Sequence, residues 1–166
     1  MTITTSVSRK RKAGTKAIKL TAGILAAIFL LAGILFSRGF FLPCFLMAGL
    51  YFVYEAFSER DYEYIYGNGR LRIDVIIGRR FRRTEHELDL QNLKVVAPHD
   101  HEAVDAWRKG SGTEQIPKYD YTSYDDNVPY YTMIIYEDRK LIKILLDLDE
   151  AMLAQMKRDC PERVYR

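Results

Sequence analysis

Cysteine is scarce, with only Cys44 and Cys160 in 166 residues. Cys44 falls inside an apolar run and Cys160 close to the C-terminus, so no structural disulfide is expected between them, and neither shows the paired spacing of a zinc site. Histidine is almost as rare. His99-Asp100-His101-Glu102 groups ligand types that zinc or nickel takes, but the two imidazoles stand at i and i+2 across an expected helix start with no third His or Cys nearby; no metal is expected. A glycine-rich phosphate loop is missing, because Gly67-Asn68-Gly69 is not followed by a helix and reads as a hairpin turn. Serine and histidine are nowhere spaced as a nucleophile and its base, and Ser123 reads as an ordinary loop serine. The sequence therefore points to no catalytic residue and no cofactor, and an enzyme is not expected.

Acidic residues are nearly absent from the first 57 positions, which hold seven Lys/Arg and one Asp/Glu. Residues 58–166 hold 18 Lys/Arg and 21 Asp/Glu, so the overall +3 is the sum of +6 and −3. The basic character belongs to the N-terminal part, and a nucleic-acid partner loses its electrostatic support.

Long apolar runs are what the chain does have. Leu20 to Phe36 contains no charge, and with Ala17, Ile18 and a snorkelling Lys19 it makes about 30 Å of helix. Ten of its residues are Leu, Ile or Phe, together favouring insertion by about 3–6 kcal/mol. Phe40 to Phe57 is apolar all round, with Pro43 in its first turn and Glu55 near its end. Only Ser37-Arg38-Gly39 separates the two runs, so antiparallel transmembrane helices are expected, with Gly23, Ala27, Ala48 and Gly49 small enough for close approach. Six basic residues precede Leu20 and only Arg38 lies in the turn, which places both termini in the cytoplasm. Phe36-Ser37-Arg38-Gly39 offers no small-x-small cleavage site, so the first run is read as an anchor in the cell membrane rather than a removed signal.

Residues 1–16, basic and poor in apolar side chains, are expected to be a disordered tail, 17–57 the transmembrane hairpin, and 58–166 one cytoplasmic domain. After Ser58 the periodicity changes to two. Tyr62, Tyr64 and Tyr66 share a face, as do Leu71, Ile73, Val75 and Ile77 against Arg72 and Asp74, and then His86, Leu88 and Leu90. Asp100 is expected to cap a short helix, His101 to Lys109. Residues 110–129, rich in Gly, Ser, Asp, Tyr and Pro, read as a mobile loop, and Tyr119, Tyr121 and Tyr124 within it, with Tyr130 and Tyr131 just after, are interleaved with Asp120, Asp125 and Asp126. Strands return over Tyr130 to Glu137 and Leu141 to Leu148, and Asp149 caps a final helix burying Met152, Leu153 and Met156.

The result is an α+β chain: a transmembrane helical hairpin, then a small antiparallel β domain of at least five strands with a C-terminal helix. The order of hairpin, YEYIYGNGRLRIDVIIGRRFRR, LDLQNLKVVAPH and YTMIIYEDRKLIKILLDLDEAMLAQMK resembles a family of small bacterial two-span membrane proteins of unknown function. That resemblance implies a pleckstrin-homology-like cytoplasmic domain and brings no catalytic residues. The functional surface expected from the residues is Arg79, Arg80, Phe81, Arg82 and Arg83, four guanidiniums and one aromatic ring close after the second span. The implied activity is that of a membrane-tethered interaction module contacting anionic lipid or a membrane protein partner. An enzyme on a membrane-proximal substrate and a structural subunit of a membrane complex are the alternatives, and the oligomeric state is left open.

Overall fold

Both apolar runs fold as helices, α1 over Ala13–Leu35 and α2 over Phe41–Ser58, and a short 3-10 turn at Arg38–Phe40 lets α2 return along α1. The computed structural model describes residues 2–10, 13–78, 80–108 and 116–166. Both helices are long and apolar enough to cross a membrane, with mean hydropathies of 2.3 and 1.6 over their spans. Ser37 starts the turn by accepting from the Gly39 N–H at 3.4 Å. Close approach is needed at Gly33 rather than at Gly23 or Gly49: a Cβ there would stand 2.8 Å from the Phe41 ring, whereas the other two have open space. Lys19 of α1 forms an ion pair with Glu55 of α2, which neutralises the one carboxylate in the apolar run.

The chain divides into two compact units: Met1–Lys10, Asp61–Ile76 and Arg82–Arg166 in one, Arg11–Arg60 with Ile77–Phe81 in the other. The first contains two four-stranded sheets. One runs β1-β2-β3-β4, formed by β1 (Ile3–Ser8), β2 (Arg60–Gly67), β3 (Arg70–Ile77) and β4 (Phe81–Asp89). The other runs β5-β7-β8-β6, formed by β5 (Leu93–Pro98), β6 (Lys118–Asp120), β7 (Tyr131–Glu137) and β8 (Lys140–Leu146). Helix α3 (Glu150–Asp159) follows, capped as expected by Asp149, whose carboxylate accepts from the Met152 N–H at 2.6 Å.

The alternation that predicted the strands also predicted the core. Tyr62, Tyr64, Tyr66, Leu71, Ile73, Leu88 and Leu90 are each at most 2% exposed, and Met152, Leu153 and Met156 are buried on α3. Asn68 and Gly69 both adopt positive φ, 52° and 74°, the two-residue hairpin loop read from the sequence.

Four expectations are overturned. Residues 3–8 are not a disordered tail: β1 pairs antiparallel with β2 from Ile3 opposite Tyr66 to Ser8 opposite Asp61, so α1 and α2 are inserted between two neighbouring strands of one sheet. Within the expected loop, residues 118–120 form β6, parallel to β8, and Tyr121 and Thr122 are buried; residues 110–115 lie outside the described residues. The expected helix at 101–109 is a 3-10 turn over Glu102–Trp107, capped by His101 Nδ1 accepting from the Ala103 N–H at 3.1 Å instead of by Asp100. Asp74, placed by alternation on the polar face, is 1% exposed.

Candidate functional site

The basic run starts in the β3–β4 connection and continues into β4, and local backbone geometry explains the turn. Gly78 has φ of 58°, a conformation natural to glycine, and the Arg80 N–H donates to the Ile77 carbonyl at 3.3 Å to close the turn. The Gly78 N–H donates to the Glu59 carbonyl at 3.0 Å, just past the end of α2, and a Cβ on Gly78 would stand 2.4 Å from the Ala56 carbonyl oxygen. Ile77–Phe81 thus belongs to the same compact unit as the two helices. Phe81 is 66% exposed and Arg80 is exposed as well; Arg79 lies outside the described residues.

The remaining two arginines differ from each other. Arg82 makes an ion pair with Glu63 of β2 and reaches Asp74 at 3.6 Å from Nε. Asp74 also faces Arg72 Nε at 3.3 Å and accepts from the Thr84 hydroxyl at 2.8 Å. A carboxylate this deeply buried is tolerated only with such partners, so Arg82 works in the sheet and is not free to meet a ligand. Arg83 remains largely exposed and touches only Glu85 among the described ion pairs, at 3.5 Å. Of the four described residues of the run, Arg80, Phe81 and Arg83 are therefore the exposed ones that the sheet's buried carboxylate does not engage.

Sequence spacing did not reveal a second cluster, which β1 brings to the segment after β6. The Arg9 Nε donates to the Thr122 carbonyl at 3.0 Å, its Nη2 lies 3.2 Å from Asp120 Oδ1, and the guanidinium sits over the rings of Tyr62 and Tyr124 at 4.7 and 4.3 Å. Lys10 Nζ lies 2.8 Å from Asp125, a bond that holds the Asp125 carboxyl below its ordinary range. A cleft of about 360 Å³ lies here, lined by Lys118, Asp120, Tyr124, Asp125 and Asp147 among others. Three of its carboxylates already have partners: Asp125 pairs with Lys10, Asp120 accepts from Thr122, and Asp147 accepts from the Ser123 N–H at 2.8 Å. Of the tyrosine and aspartate group singled out in the sequence, Asp120, Tyr124 and Asp125 thus hold the residues that follow β1.

The histidines also serve the fold. His86 Nδ1 meets both Glu137 carboxylate oxygens at 2.8 and 2.9 Å, while its ring packs edge-on to Tyr119 at 4.6 Å. His99 bonds the Thr132 hydroxyl at 3.0 Å, so it and the capping His101 do not converge on a common point. Among the described residues no group of three His, Cys, Asp or Glu is arranged to hold a metal ion. Burial raises Tyr64 and Tyr121 well above the ordinary phenol range, as expected for packed tyrosines; the Tyr64 hydroxyl donates to the Tyr121 carbonyl at 2.7 Å.

Comparison with known proteins agrees with the architecture. No curated protein and no solved structure matches the chain. One family model does match, over residues 4–166, and it covers β1, both helices, both sheets and α3 alike. The chain thus belongs to the family described as Bacterial PH-like domain (DUF6106).

Proposed function

We propose that the protein is a membrane-anchored interaction module, held by α1 and α2 with both termini in the cytoplasm, whose β3–β4 turn rests in the anionic headgroup layer. The observation that carries this reading is the seating of that turn on the end of α2 through the bond from the Gly78 N–H to the Glu59 carbonyl. With α2 spanning the bilayer, its end lies at the interface, and Arg80 and Phe81 lie there with it: a cation for phosphate and an exposed ring for the acyl boundary. Pairing of β1 with β2 supports an even number of crossings, because the segments before and after the hairpin share one sheet. The exposed Arg80 guanidinium supplies about 1 kcal/mol beside an anionic leaflet, which adds to the hold that the helices already provide.

The test uses the full chain with Phe81→Trp in a Trp107→Phe background, reconstituted into vesicles of mixed anionic and zwitterionic lipid that carry bromine at defined acyl depths. Strong quenching by the shallowest bromines is expected. Unquenched emission at the wavelength of water-exposed tryptophan would exclude lipid contact at the turn.

A further inference from the structure

Each of the two sheets has two outer strands, and three of these four edges are short or attended by other parts of the chain. The outer side of β5 is paired by the C-terminal segment, with the Val96 N–H donating to the Arg163 carbonyl and the Tyr165 N–H to the Val96 carbonyl, both at 2.8 Å. β6 is only three residues long. β1 lies beside α3, its Thr5 hydroxyl donating to Asp149 at 2.5 Å, and the Lys10 N–H just beyond it donates to the Ser123 carbonyl at 2.7 Å. β4 differs from all three. It runs for nine residues, no strand pairs with its outer side among the described residues, and Phe81 to Glu85 are exposed in succession.

A long open edge is ordinarily protected by charged side chains, proline, a bulge or a covering segment, and like charges set opposite one another repel a second edge. β4 instead carries both signs, sorted along its length: Arg82 and Arg83 come before Thr84, and Glu85, Glu87 and Asp89 after it. An antiparallel copy of the same strand has the reverse order, so the exposed Arg83 of each copy meets a carboxylate of the other. We propose that β4 is a homodimerisation edge, pairing antiparallel with β4 of a second copy about a two-fold axis at Thr84.

The charges select this register over its neighbours. Centred on Thr84, Arg83 stands directly opposite Glu85 of the second copy, and Glu85 opposite its Arg83. Centring on Glu85 would oppose two glutamates, and centring on Arg83 two arginines. Within one chain Arg83 and Glu85 already lie 3.5 Å apart along the same face. A second copy turns that exposed contact into a two-by-two group of charges in which each neighbour is of opposite sign, while the strand N–H and C=O groups gain partners. This inference does not depend on where the β3–β4 turn sits in the bilayer.

The test is made on the full chain, in detergent micelles and in native membranes. In a Cys44→Ala/Cys160→Ala background, Thr84→Cys should form a disulfide-linked dimer under mild oxidation, because the axis sets residue 84 against itself, whereas Arg139→Cys on the exposed β7–β8 turn should not. Light scattering should find the wild type dimeric. Arg83→Glu or Glu85→Arg alone should weaken the dimer by about tenfold or more, since each sets like charges opposite one another, and the two together should restore it. A monomeric wild type with no Thr84→Cys crosslink overturns the proposal. So does a dimer indifferent to both single substitutions, or a folded double variant that stays monomeric.

Discussion

Asp74 sits at 1% exposure with Arg72, Arg82 and Thr84 around it, and removing its carboxylate leaves two guanidiniums and a hydroxyl to find other partners. Asp74→Ala should cost about 2–3 kcal/mol in urea unfolding, reduced from the cost of a wholly buried pair because both arginines are about half exposed. Arg82→Gln should cost only about 1 kcal/mol, since Arg72 and Thr84 still hold the carboxylate. Equal and negligible losses for the two would show that the cluster is not a support of the sheet. Its existence was hidden in the sequence, because period-two alternation assigns residue 74 to the outside and the partners come from register across β2, β3 and β4. The basic run itself was legible; which of its arginines were already engaged was not. His99 makes a separate prediction. Burial first, and then the nearby Lys143 ammonium, lower its pKa below the ordinary value, with Arg108 and Lys118 acting the same way and Asp100 opposing. The unfolded chain therefore takes up this proton near pH 6.5 and the folded chain only further down, so the contribution of His99 is full above pH 6.5 and is lost as pH falls through the folded value. His99→Gln should flatten that part of the stability profile relative to wild type; parallel profiles would refute the assignment.

The elements that sequence reading found are those whose own residues declare them. Tyr62, Tyr64 and Tyr66 alternate, Asn68-Gly69 closes its turn, and the helical hairpin satisfies its backbone within each run, so pattern and structure agree. β1 and β6 were missed because they declare little by themselves. In β1 only Ile3 and Val7 are apolar, and its place depends on β2 in one register and on the contacts of Arg9 with Asp120 and Thr122. β6 is held by the neighbouring β8 through three residue pairs. The consequence is that residues 58–166 alone lack one strand of the first sheet. A chain in which Lys10 is joined to Arg60 by a short Gly-Asn linker should unfold cooperatively in urea, with Trp107 as the reporter, and be more stable than the 58–166 fragment by about 2 kcal/mol or more, from the half-buried Ile3, Thr5 and Val7 and their cross-strand pairs. Equal midpoints for the two would mean that β1 adds nothing to the fold.

At the scale of the whole chain, hydropathy and charge led to the expectation of a hairpin with both ends on one side. The sheet supports the orientation proposed above, since β1 precedes the hairpin, β2 follows it, and the two are paired. A phosphatase that is active only outside the cytoplasm, fused after Arg166, should therefore be silent, and the same reporter inserted at Arg38 should be active. High activity of the C-terminal fusion would reject the proposed orientation. The same pairing imposes an order on biosynthesis. Ser8 leaves the ribosome with all of residues 9–60 still to follow before Asp61, the residue opposite it in the sheet, is made. On the proposed arrangement those intervening residues enter the bilayer first, so β1 waits unpaired at the cytoplasmic face until the second helix has returned. A chain whose second helix fails to return strands β1 on one side and β2 on the other, leaving an open edge beside Tyr62, Tyr64 and Tyr66. On that arrangement, closure of the first sheet separates correctly inserted chains from misinserted ones.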